Sequence, residues 1–176
     1  VARVVMSDAG GYFEGRSGTA DLQAVIGAVG QSANVFINEG SERRRINLGR
    51  NDKGLYGLRV YEPGGKIVAG IGQSNGGDGI VTVADTQGIQ RAAMYVDSPG
   101  GGALDIVNAQ GKTVASMLAT KAGNGMLQLF NRDGVTMVEA GVNESNVGVV
   151  RAGPTGFHPG VGILGLPGSF IAGKAK

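Results

Sequence analysis

The side chains suited to chemistry in this sequence are few and scattered. His158 is the single histidine, and there is no cysteine, which excludes a thiolate nucleophile, a disulfide and a cysteine-bound metal. His158 stands in Phe157-His158-Pro159, inside a stretch crowded with glycine and proline. A Ser-His-Asp arrangement needs an ordered histidine held by a buried carboxylate, so His158 reads as an exposed loop residue. Gly111-Lys112-Thr113 has the ending of a phosphate-binding loop, but the first glycine such a loop requires falls on Ile106. Asn131-Arg132-Asp133-Gly134, with Glu139 downstream, has the flavour of a calcium loop, yet the spacing puts its closing carboxylate at Ala140. Paired carboxylates cut glycosidic bonds when they stand about 5 Å or about 6.5–9.5 Å apart. The candidates are Asp85, Asp97, Asp105, Asp133 and Glu139, most of them at positions where a turn or a solvated strand face accounts for a polar residue. The basic run Arg43-Arg44-Arg45, with Arg50 nearby, offers contacts to phosphate or an acidic polysaccharide. Glu39 and Glu42 flank it, and a solvated face or a ring of ion pairs between chains is the simpler reading. No catalytic residue, cofactor or metal site is assigned.

The elements that would carry these residues follow from a repeat. Leu127-Gln128-Leu129-Phe130-Asn131-Arg132-Asp133-Gly134 has a counterpart 23 positions earlier in Leu104-Asp105-Ile106-Val107-Asn108-Ala109-Gln110-Gly111. Further steps of 23 reach Val81 to Gly88, Leu58 to Gly65, and Val35 to Glu42, where the closing glycine is lost. One apolar column is Val35, Leu58, Val81, Leu104 and Leu127; a second is Ile37, Val60, Val83, Ile106 and Leu129. Residues two apart point to the same side of a strand, so the two columns should fill the layers of one interior. A polar column, Glu39, Glu62, Asp85, Asn108 and Asn131, precedes a glycine column, Gly65, Gly88, Gly111 and Gly134. The polar residue opens a type I turn, and the glycine takes the left-handed position that closes it, as in a hairpin loop with a glycine bulge. A second strand follows, such as Lys112 to Met117, and then a glycine-rich link, as in Gly76-Gly77-Asp78-Gly79, Gly100-Gly101-Gly102 and Gly123-Asn124-Gly125. Each unit thus offers two short strands, one tight turn and one loose link. It has too few apolar residues to fold alone, so stacking is required.

Composition agrees. Of 176 residues, 34 are glycine and only 5 proline, with 41% hydrophobic but 5% aromatic. Glycine at this level without a three-residue period excludes collagen, and the shortage of bulky rings suits narrow, layered interiors. The net charge of +2, from 16 basic and 14 acidic residues, does not call for nucleic acid, and aromatics interleaved with the basic run, as base stacking needs, are missing. No apolar run approaches the roughly 18 residues of a membrane span, and no signal peptide is visible.

Short strands of small apolar residues joined by glycine links resemble the stalks of trimeric phage tail fibres and tail spikes, a pattern covering residues 35–150. The resemblance implies three intertwined chains forming a triangular β-prism or triple-stranded β-helix. It also implies a homotrimer within a larger fibre, tail or cell-surface assembly, and an extracellular, cell-surface or virion location. Tips of such spikes hold metal through paired histidines; with His158 alone, no metal is assigned. The expected fold is therefore all-β, of about five 23-residue units stacked into an elongated β-prism or β-helix. Residues 1–34 are an irregular segment, with a short helix capped by Thr19 or a degenerate strand pair over 19–26. Residues 151–176 form a Gly/Pro-rich cap or tip. The expected function is a non-enzymatic shaft. The alternatives are a glycan- or cell-surface-binding β-solenoid, in which Tyr12, Tyr56, Tyr61 and Tyr95 supply the aromatics, and a polysaccharide-degrading β-helix.

Overall fold

The computed structural model describes residues 2–8, 10–18, 22–29, 32–40, 43–51, 53–97, 100–142 and 146–153. The cap expected over 151–176 lies outside these residues beyond 153, as does His158. No helix occurs among the described residues. The chain divides into two units, Val1–Gln90 and Arg91–Lys176.

The first unit contains β1 (Ala2–Ser7), β2 (Gly10–Arg16), β3 (Leu22–Val29), β4 (Ser32–Glu39), β5 (Arg43–Arg50), β6 (Tyr56–Tyr61), β7 (Ile67–Gln73) and β8 (Gly79–Ala84). Each pairs antiparallel with the next. In the second unit, β9 (Gln90–Val96), β10 (Gly102–Val107), β11 (Thr113–Ala119), β12 (Gly125–Phe130), β13 (Thr136–Val142) and β14 (Gly148–Ala152) do the same. A single-chain solenoid stacks its coils in parallel, whereas every pairing just named is antiparallel, as the hairpin turns require. Of the two readings of 19–26, helix or strand, its described part is strand. Leu22 to Val29 is a strand whose Val25 and Ile26 are β-branched, and alternation rather than a helical period governs it. The N-terminal segment thus belongs to the same meander.

The links between repeats are not loose. At Asn51, Glu62, Ser74, Asp85, Asp97, Asn108, Thr120 and Asn131 the amide donates to the carbonyl four residues on, while the amide of the glycine three residues on donates back. Four of these eight turns are the ones expected from the glycine column. The other four lie in or beside the glycine-rich links, and they have the same geometry. Their glycines, at 54, 65, 77, 88, 100, 111, 123 and 134, are alternately 11 and 12 residues apart, with φ between +79° and +106°. The opening side chain reinforces the loop. Asn108 Oδ1 accepts from the amides of Gln110 and Lys112, at 3.0 and 2.9 Å, and Asn51, Glu62, Asp85 and Asn131 do likewise. In the degenerate first copy, Gly40 supplies the left-handed residue, at φ +68°.

The difference between 11 and 12 has a local cause. Six-residue β6, β8, β10 and β12 alternate with seven-residue β7, β9, β11 and β13. The register slips by one residue opposite Ile37/Asn38, Val60/Tyr61, Ile106/Val107 and Leu129/Phe130. The unpaired residues are Arg45 and Val68 in the first unit, Val114 and Met137 in the second. Each is a β-bulge, and the bulge is the odd residue that makes the repeat 23 rather than 22.

Candidate functional site

Strand register sorts the side chains of each unit onto two unlike faces. In the second unit one face carries Met94, Leu104, Met117, Leu127, Ala140 and Val150 in one row, and Ala92, Ile106, Ala115, Leu129, Val138 and Ala152 in the next. No polar side chain enters either row. In the first unit the equivalent row is Phe13, Ile26, Val35, Leu48, Leu58, Ile71 and Val81. These faces are open to solvent: Met94 and Met117 are each 56% exposed, Ile26 and Ile71 each 58%.

The ten residues expected to fill an interior all lie on these faces. None is buried within the chain. Val35, Leu58, Val60, Leu104 and Leu127 are half-buried, while Ile37, Val81, Val83, Ile106 and Leu129 are exposed. Gly65, Gly88, Gly111 and Gly134 stand at positive φ in the turns.

The shielded face is the polar one. In the second unit Asp105 accepts from the Tyr95 hydroxyl at 2.8 Å and from Ser116 Oγ at 2.6 Å. Glu139 accepts from Gln128 Nε2 and Arg151 Nη1, both at 3.3 Å. Ala93, Ala103 and Ser116 are buried on this face. The bond to Asp105, then burial, pushes the Tyr95 phenol up to about 12. In the first unit Glu14 is 1% exposed and accepts from Arg16, from Arg3 at 2.5 Å and from Gln23 at 2.7 Å; Asn38 then donates to Gln23 at 3.0 Å. The bond from Arg16 leads the causes that hold Glu14 down at about 2, and Arg3 and Gln23 add to it against the opposing effect of burial. Glycine admits close strand approach here. A Cβ on Gly72 would stand 2.6 Å from the Tyr56 carbonyl oxygen and 2.8 Å from Gly57 Cα.

These contacts give the expected chemical candidates definite places. Lys112, of the Gly111-Lys112-Thr113 segment, lies in a hairpin turn and donates its amide to Asn108. Asn131 is committed to the amides of Asp133 and Val135. Asp85 and Asp97 open turns, and Asp133 is exposed beside Arg132. Asp105 and Glu139 share the polar face, but three strand steps separate β10 from β13, about 14 Å at the usual spacing. That is too far for either glycosidase geometry. Among the described residues no group of three or more His, Asp or Glu side chains is placed to hold a metal, and no helix is long and apolar enough to cross a membrane.

The basic run divides. Arg45 pairs with Glu39 of the same chain. Arg44 lies 4.1 Å over the ring of Phe36. Arg43 is exposed. The polar networks of Glu14 and Asp105 were not foreseen. Their signal is alternation: in Leu104 to Val107 and Leu127 to Phe130, a polar residue separates the two apolar columns.

No protein-family model matches the chain, and no curated protein matches it in sequence.

Proposed function

We propose that the protein is a structural shaft element, three copies of which associate through their apolar faces within a larger extracellular or virion assembly. The observation that carries this reading is the open face itself. Strand after strand presents apolar side chains in register, without a polar residue in the two rows of the second unit and with Glu39, Arg43, Arg50 and Gln73 only near strand ends in the first, while the polar face satisfies its own hydrogen bonds. Exposed apolar surface of this extent marks an association site. A threefold axis lets three such stripes meet and gives the strand edges partners. The role is mechanical: repetition of one hairpin pair yields a stiff spacer, and no residue acts on a substrate.

Sedimentation equilibrium on the purified chain tests this. The expected mass is three times 17.8 kDa. A monomer at micromolar concentration, with the apolar faces still open to a hydrophobic dye, would overturn it.

A further inference from the structure

A hollow of about 540 Å³ opens at one end of β4–β6 in the first unit, lined by Asn38, Arg43, Arg44, Tyr61, Pro63, Gly64 and Gly65. It holds cationic groups whose neighbouring carboxylates are already engaged. Glu39 accepts two bonds from Arg45, which hold its carboxyl below the usual range, with the charge of Arg43 adding to the effect. Glu62 accepts from the amides of Gly64 and Lys66 at 2.7 and 2.9 Å, and those two bonds lower its carboxyl as well. Arg43 and Arg44 have no carboxylate hydrogen-bonded to them among the described residues. Lys66 adds positive charge beside the Glu62 turn; Glu42, next in sequence to Arg43, lies outside the described residues.

The guanidinium carbon of Arg44 lies 4.1 Å over the centre of the Phe36 ring, a contact that leaves the N–H groups of a guanidinium available to a planar anion. Tyr61 supplies a half-buried ring with a hydroxyl, and Asn38 an amide. A planar fork of donors suits a carboxylate, while a ring beside it suits the apolar face of a saccharide. We infer that this hollow is a binding site for a carboxylate-bearing saccharide, of the uronic acid class, with Arg44 taking the carboxylate, Arg43 adding positive charge at the rim and Tyr61 taking the sugar ring. Asn38, Arg44 and Tyr61 belong to the polar face, which association through the apolar face leaves free, whereas Arg43, in register with Glu39, lies at the margin of the other face.

Calorimetric titration of the intact chain with oligogalacturonate, against a maltooligosaccharide of equal length, tests it. The acidic oligomer should bind and the neutral one should not. Arg44→Ala should weaken binding at least tenfold and Arg43→Ala several-fold, each with an unchanged circular dichroism spectrum. Tyr61→Ala should weaken it likewise, while Tyr61→Phe should retain most of it. Arg43 is exposed and bonded to no side chain, so its variant should fold even if Arg44→Ala does not. Absence of binding, equal affinity in Arg43→Ala, or equal affinity for single-stranded DNA, which would signal general attraction of polyanions, would each overturn the assignment.

Discussion

The two faces of each unit reverse the usual economy of an antiparallel sheet. Such a sheet commonly turns its apolar face to a core and its polar face to water. Here the polar face is the shielded one: Glu14 is 1% exposed and Asn47 4%, whereas Met6 and Val4 on the opposite face are 77% and 70% exposed. The lesson concerns where each face finds its partners. Carboxylates, amides and guanidinium groups on the polar face satisfy one another across neighbouring strands. Apolar residues on the other face meet only their neighbours along the same face, so Met94, Met117, Ile26 and Ile71 remain more than half exposed.

That contrast is open to attack from either side. The largest effect is expected on the apolar face. Met117→Lys places a charge in the middle of the proposed contact between chains. An unpaired buried charge costs about 3–5 kcal/mol, enough to weaken association by two decades or more, so sedimentation should show a single chain. Gln128→Lys on the polar face should leave the mass unchanged. If both variants assemble alike, the faces are not distinct in the way argued.

Next come the turns that hold the faces in register. A non-glycine residue in the left-handed region costs about 1–2 kcal/mol, and a β-branched one more. Gly111→Val should therefore lower the melting temperature by several degrees. Gly125→Ala, where a Cβ meets nothing within 4 Å and φ is ordinary, should not. A wild-type melting curve for Gly111→Val would remove the turn assignment.

Acid should then act on the first unit through its polar face. Glu14 titrates near 2 in the folded chain, against an ordinary 4.5. A carboxyl with a depressed folded pKa lends stability that is complete above its unfolded value and is lost as pH falls through the folded one. Protection of the β1–β3 amides, taken relative to the intrinsic exchange rate at each pH, should fall between pH 4.5 and 2, and Glu14→Gln should abolish that fall. Constant protection across that range in the wild-type chain would refute the network.

The smallest expected effect is spectroscopic. Asp105→Asn removes the charge that, with its hydrogen bond, raises Tyr95 to about 12, and ultraviolet titration should place the phenol closer to its ordinary 10. An unmoved titration would mean that burial alone sets the value.

Much of this fold was legible in the order of residues. Strand pairs and turns at Gly65, Gly88, Gly111 and Gly134 follow from columns recurring every 23 residues. The intervening turns at Gly54, Gly77, Gly100 and Gly123 were hidden because they open with Asn51, Ser74, Asp97 and Thr120, a more mixed column than Glu62, Asp85, Asn108 and Asn131, and because further glycines blur the position of the last three. Strand β3 was ambiguous because a short run such as Ala24-Val25-Ile26 satisfies either period. The polar site was less legible. Glu14 meets Arg3, Arg16 and Gln23 only once the register of β1, β2 and β3 is known, and no sequence spacing specifies that register. The hollow beside Arg44 depends on a bulge at Arg45 that turns consecutive arginines to different tasks.

The bulge in the second strand of a hairpin, as at Val68, Val114 and Met137, also governs how such a chain can grow. Adding one strand with its turn, 11 or 12 residues, reverses the direction in which the chain leaves; adding both restores it. Insertion or loss of a whole 23-residue block therefore preserves the alternation of sides and advances the sheet by two strand spacings, about 10 Å. Reach becomes a counted quantity, adjustable in equal increments by duplication of a short coding segment.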